Sequence, residues 1–201
     1  MITIVDYGLG NIGSIVNMFK RIGVTVQIAQ SPSQVIDATK LLLPGVGAFD
    51  TAMSNLKERN LLDVLNEKVL IKQTPVLGIC LGMQLLTQKS EEGKLPGLNW
   101  IEGTAKRFTP TSNLKVPHMG WNRIEPQYMH PLIDHLPPEP RFYFVHSYYV
   151  QTTNREHALA TTHYGHSFDS MIAHNHIWGA QFHPEKSHRF GLALLQNFAK
   201  S

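Results

Sequence analysis

Gly78-Ile79-Cys80-Leu81-Gly82-Met83-Gln84 holds the single cysteine of the chain. The apolar run Pro75-Val76-Leu77-Gly78-Ile79 leads into it, and a helix-like run from Leu81 to Thr87 leads out. The spacing predicts a strand, a sharp turn with a thiol at its apex, and a helix. Glycines two residues to either side leave room for a turn that side chains would crowd. The same logic operates in the G-x-nucleophile-x-G elbow. At a helix N-terminus the dipole favours a negatively charged sulfur.

Upstream of the elbow the same strand-to-helix unit repeats. Strands are predicted at 1–7, 25–29, 40–43 and 75–79, and helices at 11–22, 49–59 and 61–72. A short helix opens at Ser31-Pro32-Ser33, with Ser31 as cap and Pro32 in the first position. This alternation argues for a parallel sheet covered by helices. From Gly103 onward β-rich segments dominate, at 104–108, 121–124, 141–150, 158–162, 171–174 and 178–182, before a final helix over 187–198. No linker, repeat or low-complexity tract interrupts them. The expected fold is α/β: a central, mostly parallel sheet flanked by helices with a mixed or antiparallel extension, in one domain spanning 1–201.

At 201 residues, 42% hydrophobic and 16% charged, the chain reads as soluble and globular rather than disordered. One cysteine excludes an internal disulfide and a multi-cysteine zinc site, and it suits a reducing cytoplasm. No apolar run approaches the roughly 18–20 residues that span a membrane. Met1-Ile2-Thr3-Ile4-Val5-Asp6 reads as a buried strand rather than a signal peptide. The net charge of +3 is dispersed, without a Lys/Arg block for nucleic acid.

Gly8-Leu9-Gly10-Asn11-Ile12-Gly13 matches G-x-G-x-x-G between a predicted strand and a predicted helix, so a dinucleotide site has to be weighed. That fingerprint wants an acid at the end of the second strand. Here the end reads Val26-Gln27-Ile28-Ala29-Gln30-Ser31, and the next acid is Asp37. The plainer reading is a tight turn, with Asn11 capping the helix.

A catalytic thiol needs a base and a group to orient that base. Eleven histidines make any one of them weak evidence. The informative one is His183 in Gly179-Ala180-Gln181-Phe182-His183-Pro184-Glu185-Lys186-Ser187, at the end of a predicted strand that Pro184 stops. Glu185, two residues on, can bind Nδ1–H and leave Nε2 facing the thiol. Cys80 and His183 both fall at strand C-termini, where parallel α/β sheets place their sites. Leu43-Pro44-Gly45-Val46-Gly47-Ala48-Phe49 ends the neighbouring strand and can aim backbone N–H groups at an oxyanion, with Leu81 N–H as a second donor. His174-Asn175-His176 and His163 to His166 read as loop or surface histidines, not metal ligands.

Together these segments resemble the class I (triad) glutamine amidotransferases. The likeness tightens to the glutaminase subunits of imidazole glycerol phosphate synthases through four further segments. They are Asp6 to Asn11, Pro117-His118-Met119-Gly120-Trp121-Asn122, Tyr143 to Tyr149, and His183-Pro184-Glu185-Lys186-Ser187. Ala180 stands where such enzymes often carry valine. The resemblance implies Cys80 as nucleophile, His183 as general acid/base and Glu185 as its orienter. It implies Gly47 and Leu81 as oxyanion donors after the Val46 peptide reorients. Gln84, His146, Ser147 and Tyr148 would hold L-glutamine, the last three partly through backbone groups. Met119, Trp121 and Lys186 would lie near a subunit interface. It implies no cofactor, and a heterodimer with a (β/α)₈ barrel cyclase that consumes the ammonia. A glutaminase serving another synthase, an NAD-dependent oxidoreductase and a catalytically silent domain are the other classes; the last is disfavoured by intact Cys80, His183 and Glu185.

Overall fold

The computed structural model describes residues 1–110 and 114–201. The parallel half is built from β1 (Ile2–Val5), β2 (Val26–Ala29), β3 (Lys40–Leu43) and β4 (Val76–Ile79). Between them run α1 (Ile12–Arg21), α2 (Pro32–Val35), α3 (Phe49–Glu58) and α4 (Leu61–Asn66), and α5 (Leu81–Leu85) follows β4. The second half adds β5 (Lys89–Ser90), β6 (Gly103–Arg107), β7 (His118–Arg123), β8 (Glu125–Pro126), β9 (Arg141–His146), β10 (Tyr148–Thr152), β11 (Ala158–Tyr164), β12 (His166–His174) and β13 (Ile177–Ala180). Helix α6 (His188–Lys200) closes the chain.

The main sheet runs β2-β1-β3-β4-β13-β12-β10-β6-β5, with β11 and β8 attached through β12. It is parallel from β2 through β13 and antiparallel from β13 through β6. This is an α/β fold with an antiparallel extension. Its strands alternate as the period-2 rule requires. Ile2, Ile4, Leu42, Leu77 and Ile79 face α1 and α6, while Leu41, Leu43 and Val76 join the core beneath α2 to α5. Lys40 Nζ donates to the carbonyls of Phe198 and Ala199 at 2.9 Å, placing a cation at the C-terminus of α6 where the dipole favours it.

A two-stranded ribbon, β7 with β9, lies outside the main sheet. The single strand expected over 141–150 is therefore two. The chain leaves the ribbon at Ser147 and enters the main sheet as β10. The sequence conceals this because Phe142, Phe144, His146, Val150 and Thr152 keep one buried parity across the break. The strand expected to run to Phe182 ends at Ala180. His183 N–H then donates to Tyr143 O in the ribbon, and Phe182 stacks on Phe142 at 3.9 Å. The helix expected over 61–72 is α-helical to Asn66 and then widens into a π-helical stretch over Glu67–Ile71. Pro32 does open α2, but Ser31 does not cap it: its hydroxyl pairs with the side chains of Ser33 and Gln34.

Candidate active site

The site sits over the C-terminal ends of β3, β4 and β13, three adjacent strands. Cys80 occupies the step from β4 to α5 at φ 54°, ψ −109°, a left-handed conformation that costs on the order of 1–3 kcal/mol for a residue with a side chain. Its N–H donates to Ala180 O at 2.7 Å, which ties the elbow to β13. The flanking glycines act through space rather than dihedral angle. A Cβ on Gly78 would lie 2.5 Å from Gly82 O, and one on Gly82 would run into Leu43 O. Strand β4, the elbow and the end of β3 therefore pack backbone to backbone.

His183 begins the short turn Pro184–Lys186. Its backbone is held by the ribbon: Ser187 Oγ donates to His183 O at 2.6 Å and accepts Tyr143 N–H at 3.0 Å. The ring donates from Nδ1 to Glu185 Oε1 at 2.8 Å, and both side chains are only 2% exposed. This is the pairing expected from sequence, made within a turn instead of along a strand. Burial pushes the imidazole toward neutrality, but the interaction with neighbouring Cys80 and the hydrogen bond and charge of Glu185 outweigh it and carry the pKa up to about 10. Burial of the Glu185 charge is matched by the imidazolium it holds.

One pocket of about 350 Å³ joins Cys80 and His183 to Gly47, Leu81, Gln84, His146, Ser147 and Tyr148. All the residues expected to bind substrate or stabilise an oxyanion are thus brought together, with Glu185 behind His183. Met119, Trp121 and Lys186 lie outside. Met119 and Trp121 are 61% and 43% exposed, and the Lys186 ammonium stands 5.7 Å above the Tyr143 ring.

Three details alter the expected roles. Leu81 N–H donates to Gly45 O at 3.3 Å, so this donor is covered in the resting loop. Gln84 Nε2 donates to Tyr148 O and to Gln181 Oε1, both at 3.2 Å. His146 turns its ring away into a chain of neutral donors and acceptors. Its Nδ1–H donates to Tyr148 O at 2.7 Å, so Nε2 accepts from His118 Nδ1–H at 2.9 Å. His118 Nε2 in turn accepts from Asn122 at 3.3 Å. His146 can therefore serve the pocket through its backbone, while its side chain holds the β9–β10 break.

Burial lowers the pKa of His146 to about 3. Below pH 6.5 the unfolded chain takes up a proton that folded His146 refuses, so folding stability falls as pH drops from 6.5 toward 3. His183 has the opposite sign: its contribution is present below pH 6.5 and is lost as pH rises through about 10. Urea denaturation at pH 6.5, 5.5 and 4.5 is expected to show an acid-side loss of a few kcal/mol.

Sequence reasoning passed over two residues of the site, one lining the pocket and one buried beside the sulfur. Glu92 lines the pocket, and its Oε2 accepts Phe49 N–H at 2.9 Å at the start of α3. Asp50 clamps the same loop by accepting the N–H groups of Lys94 and Leu95. Gln181 is buried and directs its amide at the Cys80 sulfur, 3.7 Å away. Its place in Gln181-Phe182-His183-Pro184-Glu185 was a usable signal; Glu92 had none.

The glycine-rich turn at Gly8 to Gly13 is a support element. Asp6 Oδ1 accepts Gly8 N–H, Asn11 caps α1 by accepting Ser14 N–H, and Gly10 backs onto Pro44, where a Cβ would lie 3.1 Å from the proline ring. His174 pairs with His157 at 2.8 Å and His176 Nε2 donates to Val69 O. Among the described residues no group of three acidic, histidine or cysteine side chains is arranged to hold a metal, and no helix is long and apolar enough to cross a membrane.

The family model for glutamine amidotransferase class-I matches residues 3–201. The chain is 51% identical to imidazole glycerol phosphate synthase subunit HisH 2 of Methanococcus maripaludis and 48% identical to the HisH 2 subunit of Pseudomonas aeruginosa, covering 100% of this chain and 99% of each relative. It is 45% identical to the HisH subunit of Bdellovibrio bacteriovorus over the full length of both. Among solved structures, PurLQS of Thermotoga maritima superposes with a TM-score of 0.76 at 12% identity, covering 99% of this chain and 97% of that one. A glutamine amidotransferase superposes at 0.72 and 17%, covering 99% and 100%. The family match and the full-length relatives, set beside the thiol elbow and its histidine, show that this chain belongs to the glutamine amidotransferase class-I family.

Proposed function

We propose that the chain is the glutaminase subunit of an imidazole glycerol phosphate synthase in histidine biosynthesis, hydrolysing L-glutamine and passing ammonia to a cyclase partner. The observation that carries the chemistry is the line Cys80, His183, Glu185. A sulfur on a strained elbow shares the pocket with a histidine whose Nε2 is buried and unpaired and whose Nδ1 is held by a buried carboxylate.

L-glutamine enters with its side-chain amide over Cys80. Its α-ammonium faces Glu92, the carboxylate that lines the pocket. Gln84 and the backbone of His146, Ser147 and Tyr148 fix the rest of the substrate. The Cys80 thiolate attacks the amide carbon, and the oxyanion is taken by the N–H groups of Leu81 and Gly47 once Gly45 O has turned away. His183, protonated at rest, gives its proton to the departing ammonia. It then draws a proton from water, which attacks the γ-glutamyl thioester, releasing glutamate and restoring the thiolate.

Free ammonia at neutral pH is mostly ammonium, a poor nucleophile. Direct hand-over to a partner avoids that loss, and the partner the resemblance implies is a (β/α)₈ barrel cyclase in a cytoplasmic heterodimer, with Met119, Trp121 and Lys186 on the contact face. The relatives' names support this partner, and the covered Leu81 N–H supports a site that is weak until engaged. The test is glutamine hydrolysis by the chain alone and with the (β/α)₈ barrel cyclase loaded with its nucleotide substrate. Turnover is expected to be low alone and to rise by at least 10²-fold in the complex, in line with the worth of one oxyanion donor. Equal rates in the two arms would refute the partner assignment.

A further inference from the structure

We propose that Tyr7 is a positioning residue of this site: its buried phenol holds the Pro44–Gly47 loop in the conformation that covers Leu81 N–H. This rests on reading Leu81 N–H as an oxyanion donor.

Tyr7 follows the end of β1 and is fully buried. Its hydroxyl donates to Pro44 O. The backbone that presents it is anchored to α3, since Tyr7 O accepts from Asn55 Nδ2 at 2.9 Å and Asp6 O accepts from Arg59 at 2.8 Å. One residue beyond Pro44, Gly45 O accepts Leu81 N–H. Two successive carbonyls are thus tied to opposite walls, the first to Tyr7 and the second to the residue after the nucleophile.

Gly45 fits between those walls only as glycine. A Cβ there would lie 2.5 Å from the Tyr7 hydroxyl, 2.9 Å from Leu81 Cβ and 3.0 Å from Gly82 N. Beyond Gly45 the ties stop. Among the described residues Val46 and Gly47 make no backbone hydrogen bond; Val46 is 43% exposed and Gly47 stands at φ 112°. The loop is therefore firm as far as Gly45 and loose after it, and Leu81 N–H is freed only by turning the Gly45 carbonyl. Fixing the adjacent Pro44–Gly45 peptide opposes that turn. A buried phenol left without an acceptor would be costly, so the hydroxyl is matched to this one carbonyl.

Tyr7→Phe keeps the ring and removes one of the two ties. Hydrogen exchange at the Leu81 amide reads the cover directly and needs no turnover. We expect about five-fold faster exchange in the variant, the worth of one ordinary buried hydrogen bond. In glutaminase assays the partner-free kcat should rise by about the same factor with KM unchanged, while the rate in the loaded complex stays near wild type. Unchanged exchange in a folded variant would overturn the proposal. So would a kcat that falls equally with and without the partner, which would make Tyr7 ordinary core support. If Tyr7→Phe fails to fold, a fluorotyrosine genetically encoded at position 7, a stronger donor, should slow Leu81 exchange; no change or acceleration would overturn it. If wild-type protein hydrolyses no glutamine even in the loaded complex yet the exchange responds, the functional reading fails and the positioning role stands.

Discussion

Cys80→Ala is expected to bring glutamine hydrolysis down by about 10⁵–10⁶-fold, to background, because the acyl-enzyme can no longer form. The fold should survive. The residue sits at φ 54° held by the Ala180 carbonyl and by glycines that pack against backbone, and none of these ties uses the sulfur. What is lost inside is the 3.7 Å contact from Gln181, the interaction of Cys80 with His183 and a small apolar volume, the last costing about 1 kcal/mol. Glutamine affinity, measured by calorimetry, should stay within a few-fold of wild type, since the pocket walls are untouched. A variant that binds glutamine and still turns it over at more than a trace rate would remove Cys80 from the mechanism.

Glu185→Gln is the second large effect, about 10⁴-fold in kcat. The carboxylate accepts the Nδ1 proton of His183, and its second oxygen, Oε2, is buried without a partner. An amide in this space is uncharged. With its oxygen toward Nδ1 it still accepts the His183 proton but leaves a buried NH₂ unpaired where Oε2 stood; turned over, it meets Nδ1 with a donor. In neither orientation is the imidazolium charge balanced. The pKa of His183, carried up to about 10 in part by Glu185, should move down, shifting the acid–base profile of kcat toward lower pH. Glu185→Asp should recover part of the rate. A Gln variant with near wild-type kcat and an unmoved profile would show that the carboxylate only fills space.

The parallel half of the fold was legible because each of its decisions is local. Pro32 opens α2, Asn11 caps α1, and Gly78 and Gly82 bracket the elbow; each reads from a few adjacent residues. The chemistry was legible for the same reason, since His183 and Glu185 are two apart and Cys80 carries its own turn. What could not be read came from pairings distant in sequence. The break at Ser147 keeps the buried parity of a single strand, and the early end of β13 is set by Tyr143, forty residues away by chain, taking over the His183 backbone. Glu92 reaches the pocket because its loop is clamped to α3 by Asp50. His146 lines the pocket, but its side chain answers to His118 and Tyr148 O, which only the ribbon brings near.

The one free thiol also defines how the molecule can be damaged. Oxidants act first on thiolates, and a sulfenic acid is normally rescued by condensing with a second thiol. This chain has no other cysteine to supply one. An oxidised Cys80 would depend on a small external thiol reaching a largely buried sulfur, in competition with further irreversible oxidation. Occupancy by glutamine, which covers the sulfur during turnover, would then protect the subunit as well as feed it.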